Sequence, residues 1–173
     1  LWGLIGLAGM TFYWSLATAK GPKEAEFYII FTGNTFGELK PCGCAREEDQ
    51  GGIERRQAYL KTIRASGKEV VLVDTGDSFK EPTRQGQIKA RFLMKSMDQM
   101  SYDAVALGDK DLIYGHKFLT QFKAIPWVAS NLKVEEAIDI PAYRIKNLTN
   151  GTQIALLSLA GPEIFYSGRI FAD

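Results

Sequence analysis

The sequence has little histidine and almost no net charge. His116 is the single histidine among 173 residues, and Lys and Arg outnumber Asp and Glu by 21 to 20. Most catalytic zinc sites and many acid–base mechanisms use more than one imidazole, so a lone histidine argues against both. A net charge of +1 also removes the usual electrostatic argument for nucleic acid, which we therefore exclude as a partner.

Cysteine is almost as scarce as histidine. Cys42 and Cys44 are the only two cysteines, too few for a disulfide framework. Their Cys-Gly-Cys spacing matches neither the Cys-x-x-Cys of redox motifs nor the haem-attachment motif. Three interpretations stay open: a strained disulfide in an oxidising compartment, two free thiols, or half of a metal site shared between molecules.

Residues 1–19 contain no charged side chain. As a helix they would extend roughly 28 Å, close to the thickness of a bilayer's hydrocarbon core. Trp2 and Trp14 lie near the two ends of this segment, where membrane interfaces favour tryptophan. We therefore predict a single transmembrane anchor. A secretory signal peptide ending at Ala17-Thr18-Ala19 is the alternative.

A polar linker at 20–25 separates the anchor from one predicted domain at 26–173. Strand patterns alternate with helix patterns along this domain, which predicts a layered α/β sheet fold. The predicted strands are 26–32, 69–74, 103–107 and 127–130, the predicted helices are 53–65, 87–100 and 117–122, and a hairpin of strands 141–146 and 153–159 turns at Asn150-Gly151.

Apolar residues at helical spacing predict which faces of the first two helices are buried. The first stripe consists of Ile53, Tyr59, Leu60 and Ile63, and the second consists of Ile88, Phe92, Leu93 and Met97.

A glycine and a short polar residue follow each of the first three predicted strands, as Gly33-Asn34, Gly76-Asp77 and Gly108-Asp109. Ligands of α/β proteins bind outside the carboxyl ends of the strands, so these loops are the candidate site. The stretches that carry them are FTGNTFGELKPCGC, GGIERRQAYL, VVLVDTGDSF, MDQMSYDAVALGDKDL and PWVASNL, in that order. Over residues 26–132 they resemble the N-terminal part of a calcineurin-like metallophosphoesterase domain of the 5′-nucleotidase and 2′,3′-cyclic phosphodiesterase type.

The resemblance implies two cations that share a bridging carboxylate and a hydroxide, and the hydroxide attacks phosphorus in line. The family's first motif has an Asp and a His ligand where this chain has Asn34 and Phe36. The bridging Asp of the second motif is kept as Asp77. The Asn and His of the third motif are replaced by Asp109 and Lys110. Of these five family-equivalent positions, only Asp77 is unaltered.

These replacements predict a non-catalytic domain without a cofactor. Phe36 cannot bind a metal, and Lys110 would place a positive charge where a cation should lie. Weak binding of Mg²⁺, Ca²⁺ or Mn²⁺ by Asp77 and Asp109 is the alternative for the metal. For the function, the alternatives are an active phosphoesterase with a reduced metal site and a metal- or redox-sensing module built on Cys42 and Cys44.

An anchored domain without chemistry implies a partner. Relatives with PCGC-like loops resemble proteins associated with c-type cytochromes, which suggests an integral membrane complex that contains a cytochrome, respiratory or photosynthetic. We expect a single-pass protein of the bacterial inner membrane with its soluble domain in the periplasm. The candidate contacts are Arg46, Glu47, Glu48 and Asp49 of the first loop and the tail 164–171.

Overall fold

The computed structural model describes residues 26–41, 51–132 and 139–161. The predicted anchor with Trp2 and Trp14, the pair Cys42 and Cys44, the charged run 46–49 and the tail 164–171 lie outside these residues. Within the described ranges, none of the helices combines the length and the apolar character needed to cross a bilayer.

Four parallel strands form the main sheet in the order β1-β2-β3-β4. They are β1 Phe27–Thr32, β2 Glu69–Asp74, β3 Ala104–Ala106 and β4 Trp127–Val128. Since the strands are parallel and neighbours in sequence, every carboxyl end reaches the same edge, which we call the carboxyl edge. The predicted α/β fold with strands alternating with helices is confirmed.

Two helices cover one face of this sheet. Helix α1 spans Ile53–Ala65 between β1 and β2, and α2 spans Arg84–Met100 between β2 and β3. Crossovers between adjacent parallel strands are right-handed, which places both helices on the same face, and the two helices contact each other. A 3₁₀ turn at Asp109–Leu112 and the short helix α3 at His116–Leu119 connect β3 to β4.

The hairpin forms a separate antiparallel pair of strands, β5 Tyr143–Asn147 and β6 Gln153–Leu157. Gly151 has a φ of 85°, the left-handed conformation that makes Asn-Gly a hairpin turn. Lys146 Nζ lies 2.8 Å from Asp103 Oδ1, an ion pair that ties the hairpin to the chain just before β3.

The main core lies between the two helices and the face of the sheet that they cover. Its fully buried side chains include Leu60 of α1, Leu72 of β2, Leu93 and Met97 of α2 and Val105 of β3. Burial along β2 leaves only Glu69 and Val73 partly accessible, so this strand is covered on both faces.

The predicted apolar stripes are wrong at three positions. The exposed fraction is 63% for Tyr59, 52% for Ile88 and 60% for Phe92, because the two helices bury a narrower face than the spacing suggests. Helix α2 also begins three residues earlier than predicted. The Thr83 hydroxyl caps it by accepting a hydrogen bond from the Gly86 N–H over 3.0 Å.

Candidate functional site: three loops at the carboxyl edge

The loops after β1 and β2 are joined by a ladder of backbone hydrogen bonds. The N–H of Asn34 donates to the carbonyl of Gly76 over 2.9 Å, and the N–H of Phe36 donates to the carbonyl of Asp77 over 3.1 Å. The loop after β3 joins them through the N–H of Lys110, which donates to Asp77 Oδ1 over 3.2 Å. The structure therefore brings all five sequence-predicted positions to one edge.

Two glycines allow the second and third loops to approach this closely. A Cβ added to Gly76, whose φ is 91°, would lie 2.6 Å from the backbone nitrogen of Gly108. A Cβ added to Gly108 would lie 2.0 Å from Asp77 Oδ1. Any side chain at either position would push the loops apart, so these glycines are required by packing.

Asp111 is the residue that fixes the geometry of the two acidic loops. It is completely buried, and Oδ2 accepts hydrogen bonds from the N–H groups of Asp77 and Gly108, both over 2.9 Å. Oδ1 accepts from the N–H of Ser78 over 2.9 Å. Burial raises the pKa of Asp111 to about 7, against the opposing effect of these three donors. Its two oxygens act on the backbone, so its role is to position the loops.

A second buried network holds the first loop. Thr32 Oγ1 donates to Asp74 Oδ2 over 2.5 Å and lies 2.8 Å from the hydroxyl of Tyr102. The Arg56 guanidinium donates to the Tyr102 hydroxyl over 3.3 Å and to Thr35 Oγ1 over 3.1 Å. Burial raises the pKa of Asp74, which is 3% exposed. A side chain of α1 therefore supports the loop from beneath.

Three of the family-equivalent positions have left-handed backbone conformations that residues other than glycine rarely adopt. The φ values are 50° for Asn34, 47° for Phe36 and 57° for Asp77. Such conformations cost on the order of 1 kcal/mol each and persist where the surroundings enforce them. Here the backbone ladder and Asp111 supply that constraint.

The charges at this edge are arranged around Lys110. Its Nζ lies 3.2 Å from Asp109 Oδ2, and the two side chains are 35% and 16% exposed. Burial raises the pKa of Asp77, and the neighbouring negative charge of Asp109 raises it further. The ammonium group is thus the local positive charge that offsets the two carboxylates.

The donor atoms at this edge do not fit a two-metal centre. Phe36 offers no ligand atom, Asn34 offers only a neutral oxygen, and Asp109 already pairs with the Lys110 ammonium. Among the described residues, no cluster of three or more His, Cys, Asp or Glu side chains could hold a metal ion. These residues therefore offer fewer ligand atoms than a two-metal hydrolytic centre needs.

The three loops were identified from the sequence, whereas the two networks beneath them were missed. Asp111 follows the third glycine motif as an acidic residue, which was a usable signal. The partnership of Arg56 with Tyr102 joins residues 46 positions apart. That separation leaves no local pattern from which the pair could be found.

The sequence is similar to curated 5′-nucleotidases of snake venom, whereas no protein-family model matches it. Identity is 35% over 95 residues with the Naja atra protein, covering 52% of this chain and 18% of the relative. It is 32% over 117 residues with the Gloydius brevicauda protein, covering 65% of this chain and 20% of the relative. The chain thus spans about one fifth of the length of these relatives.

Solved structures of several hydrolases share the fold. A 5′-nucleotidase precursor from Thermus thermophilus superposes with a TM-score of 0.69 at 22% identity, covering 79% of this chain and 29% of that protein. The sulfate thiohydrolase SoxB from Thermus thermophilus superposes with a TM-score of 0.66 at 13% identity, covering 88% of this chain and 39% of that protein. The calcineurin-like phosphoesterase YfkN from Bacillus subtilis superposes with a TM-score of 0.56 at 20% identity, covering 79% of this chain and 48% of that protein. The resemblance predicted from the sequence is confirmed.

Proposed function

We propose that this chain, a homologue of the 5′-nucleotidases with the fold of calcineurin-like phosphoesterases, is a non-catalytic domain that acts by binding a partner. One observation carries the proposal. The Lys110 ammonium lies 3.2 Å from the Asp109 carboxylate, at an edge where the family would place cations.

A divalent cation beside Asp77 and Asp109 would lie close to the Lys110 ammonium, and like charges at that distance repel strongly when they are partly desolvated. Asp109 could bind the cation well only by giving up its ion pair, which would separate Lys110 from the carboxylate it contacts. Lys110 therefore neutralises the edge in place of a metal.

A domain without its own chemistry implies an accessory role. The uncharged residues 1–19 and the PCGC stretch support an accessory subunit of an integral membrane complex, with a cytochrome-containing respiratory or photosynthetic assembly as the proposed partner. In this proposal the domain lies on the periplasmic side of a bacterial inner membrane. Isolation of the tagged chain from its native membranes tests this part, because co-purification of haem-containing subunits is expected.

Metal-dependent phosphoester hydrolysis is the second candidate function. The homology to 5′-nucleotidases and the retained Asp77 favour it. A sensing module built on Cys42 and Cys44 is the third, and thiol labelling of the native protein tests it: two freely reactive thiols would exclude a permanent disulfide.

The activity test uses the full chain with Mn²⁺ and a chromogenic phosphodiester. We expect the same background rate for the natural sequence and for Asp77→Ala. A rate that is clearly above background and is abolished by Asp77→Ala would overturn the non-catalytic proposal. Asp98→Ala, at an exposed position of α2, is the control for nonspecific effects of removing a carboxylate.

A further inference from the structure

The two helices carry far more positive charge than the near-neutral chain suggests. Together α1 and α2 contain eight basic and two acidic side chains, a net charge of +6, against +1 for the whole chain. Arg56 lies in the buried network, and six of the others are exposed: Arg55, Lys61, Arg64, Arg84, Arg91 and Lys95. Among them, Arg64 donates a hydrogen bond to the Met100 carbonyl over 2.7 Å, and Arg91 donates one to Gln121 Oε1 over 2.6 Å. The composition of the whole chain conceals this uneven distribution of charge, because acidic residues outnumber basic ones outside the two helices.

Large apolar side chains are interleaved with these charges. Along α2, the exposed residues Arg84, Ile88, Arg91, Phe92 and Lys95 recur at three- and four-residue intervals, so they share one face of the helix. Ile88 is 52% exposed and Phe92 is 60% exposed.

Helix α1 extends the same layer with Tyr59, which is 63% exposed. Both helices lie on one side of the sheet and contact each other. We call the exposed side of this layer, with its basic and apolar residues, the helical face.

We infer that the helical face rests on the surface of an anionic phospholipid bilayer. Lipid phosphates complement the net positive charge, while Ile88, Phe92 and Tyr59 are of the kind that enters the boundary between headgroups and acyl chains. An acidic protein would satisfy the charge, but it would not by itself account for the interleaved aliphatic and aromatic side chains.

The sequence supplies a reason why the domain would lie close to lipid. Residues 1–19 are uncharged, and seven residues separate them from β1. Seven extended residues reach at most roughly 25 Å. An inserted segment would therefore keep the domain within about its own width of the bilayer. This tether rests on the proposed membrane location of the chain, and it holds whether or not the carboxyl edge is catalytic.

Spin-label accessibility in lipid nanodiscs tests the inference with the full chain. The label is attached at Ile88→Cys in a Cys42→Ser/Cys44→Ser background, and the discs contain either phosphatidylcholine alone or an equal mixture with phosphatidylglycerol. We expect the label to become more accessible to oxygen and less accessible to a water-soluble nickel chelate in the anionic discs only. About 1 M NaCl should reverse this shift, because the Debye length falls to about 3 Å.

The matched label is attached at Ile29→Cys in the same background. Ile29 of β1 is 60% exposed, whereas its neighbour Ile30 packs against the core under the helices. Alternation along the strand therefore places Ile29 on the opposite face of the sheet. This label should stay accessible to the chelate in both kinds of disc.

Charge reversal distinguishes docking through the helical face from attraction of any basic residue of the domain to anionic lipid. Arg84→Glu/Lys95→Glu should abolish the shift at position 88, while Lys40→Glu/Lys80→Glu, exposed positions near the carboxyl edge, should preserve it. A label at position 88 that stays in water in anionic discs would overturn the inference and point to an acidic protein partner instead. A shift that is equal in neutral discs or insensitive to salt would also overturn it.

Discussion

The backbone N–H of Asp77 donates to the buried Oδ2 of Asp111 over 2.9 Å. This bond crosses from the loop after β2 to the loop after β3, and it holds the retained acidic residue in its left-handed conformation. The geometry of the candidate site therefore depends on a carboxylate that does not itself face the site.

Asp111→Asn tests this dependence. The amide would present N–H groups to a backbone donor, so at least one buried donor loses its acceptor, and we expect a loss of about 2 kcal/mol in the free energy of unfolding. Urea denaturation at about pH 8, where the Asp111 carboxyl is ionised, measures it. Asp98→Asn, at an exposed position of α2, should change stability by no more than about 0.5 kcal/mol. Equal effects of the two substitutions would contradict the positioning role.

The stability of the protein should fall as the pH rises from about 4 to 7. Burial raises the pKa of Asp111 from 3.8 to about 7, so the folded state binds a proton that the unfolded chain has lost in this range. The resulting stabilisation is complete below the unfolded pKa and is lost as the pH passes the folded one. Burial raises the pKa of Asp74 and Asp77 as well, which acts in the same direction.

Unfolding curves at several pH values between 4 and 8 check this prediction. In Asp111→Asn the slope of stability against pH should become shallower, because the titrating group is gone. A slope that is unchanged by the substitution would show that the Asp111 carboxyl is ionised throughout this range.

Gly33→Ala should disturb the contact between the first and second loops. An added Cβ would lie 1.8 Å from Thr75 Oγ1, so we expect a loss of about 1–3 kcal/mol. Thr75→Ala removes the obstructing oxygen. The double variant should therefore lose less free energy of unfolding than the two single variants lose in total. Strictly additive losses in a thermal or urea unfolding cycle would argue against this contact.

Neighbouring residues of α2 should respond very differently to truncation. Leu93 is completely buried and Phe92 is 60% exposed. We expect Leu93→Ala to cost about 2–5 kcal/mol. Phe92→Ala should stay within about 0.5 kcal/mol in the absence of lipid. Comparable losses in urea unfolding would mean that the exposed face of α2 is packed against another part of the molecule.

These two residues also show what the sequence could and could not predict. Strong local signals predicted α1, β1, β2 and the Asn150-Gly151 turn. These signals are the spacing of apolar residues, the position of glycine and runs of β-branched residues, and each is contained within a few residues of the chain. Helical spacing could not decide that Phe92 is exposed while Leu93 is buried, since that depends on how α2 is rotated against the sheet.

The candidate site divides in the same way. The glycine loops and the altered residues Asn34, Phe36 and Lys110 could be identified from their order and from the resemblance to a known family. The contacts that position them join distant parts of the chain, as Asp111 joins Ser78 across 33 positions. Tertiary packing decides whether a carboxyl is buried and which N–H groups donate to it, and no local sequence pattern indicates either.

The proposed replacement of a metal by Lys110 predicts a gain of metal binding when the charge of Lys110 is removed. Lys110→Met keeps the length of the side chain but frees the carboxylates of Asp77 and Asp109, so Mn²⁺ should raise the melting temperature of this variant. Lys80→Met is the matched control, because Lys80 pairs with Glu38 at the same edge over 3.4 Å with both side chains 55% exposed. The control should respond to Mn²⁺ as the natural sequence does.

The melting temperature of the natural sequence with and without Mn²⁺, beside that of Lys110→Met, tests the central claim most directly. We expect no shift for the natural sequence and for Lys80→Met, and an upward shift for Lys110→Met that chelation reverses. An equal, chelator-sensitive shift in the natural sequence would show that the site accepts a metal despite Lys110, and would contradict the account.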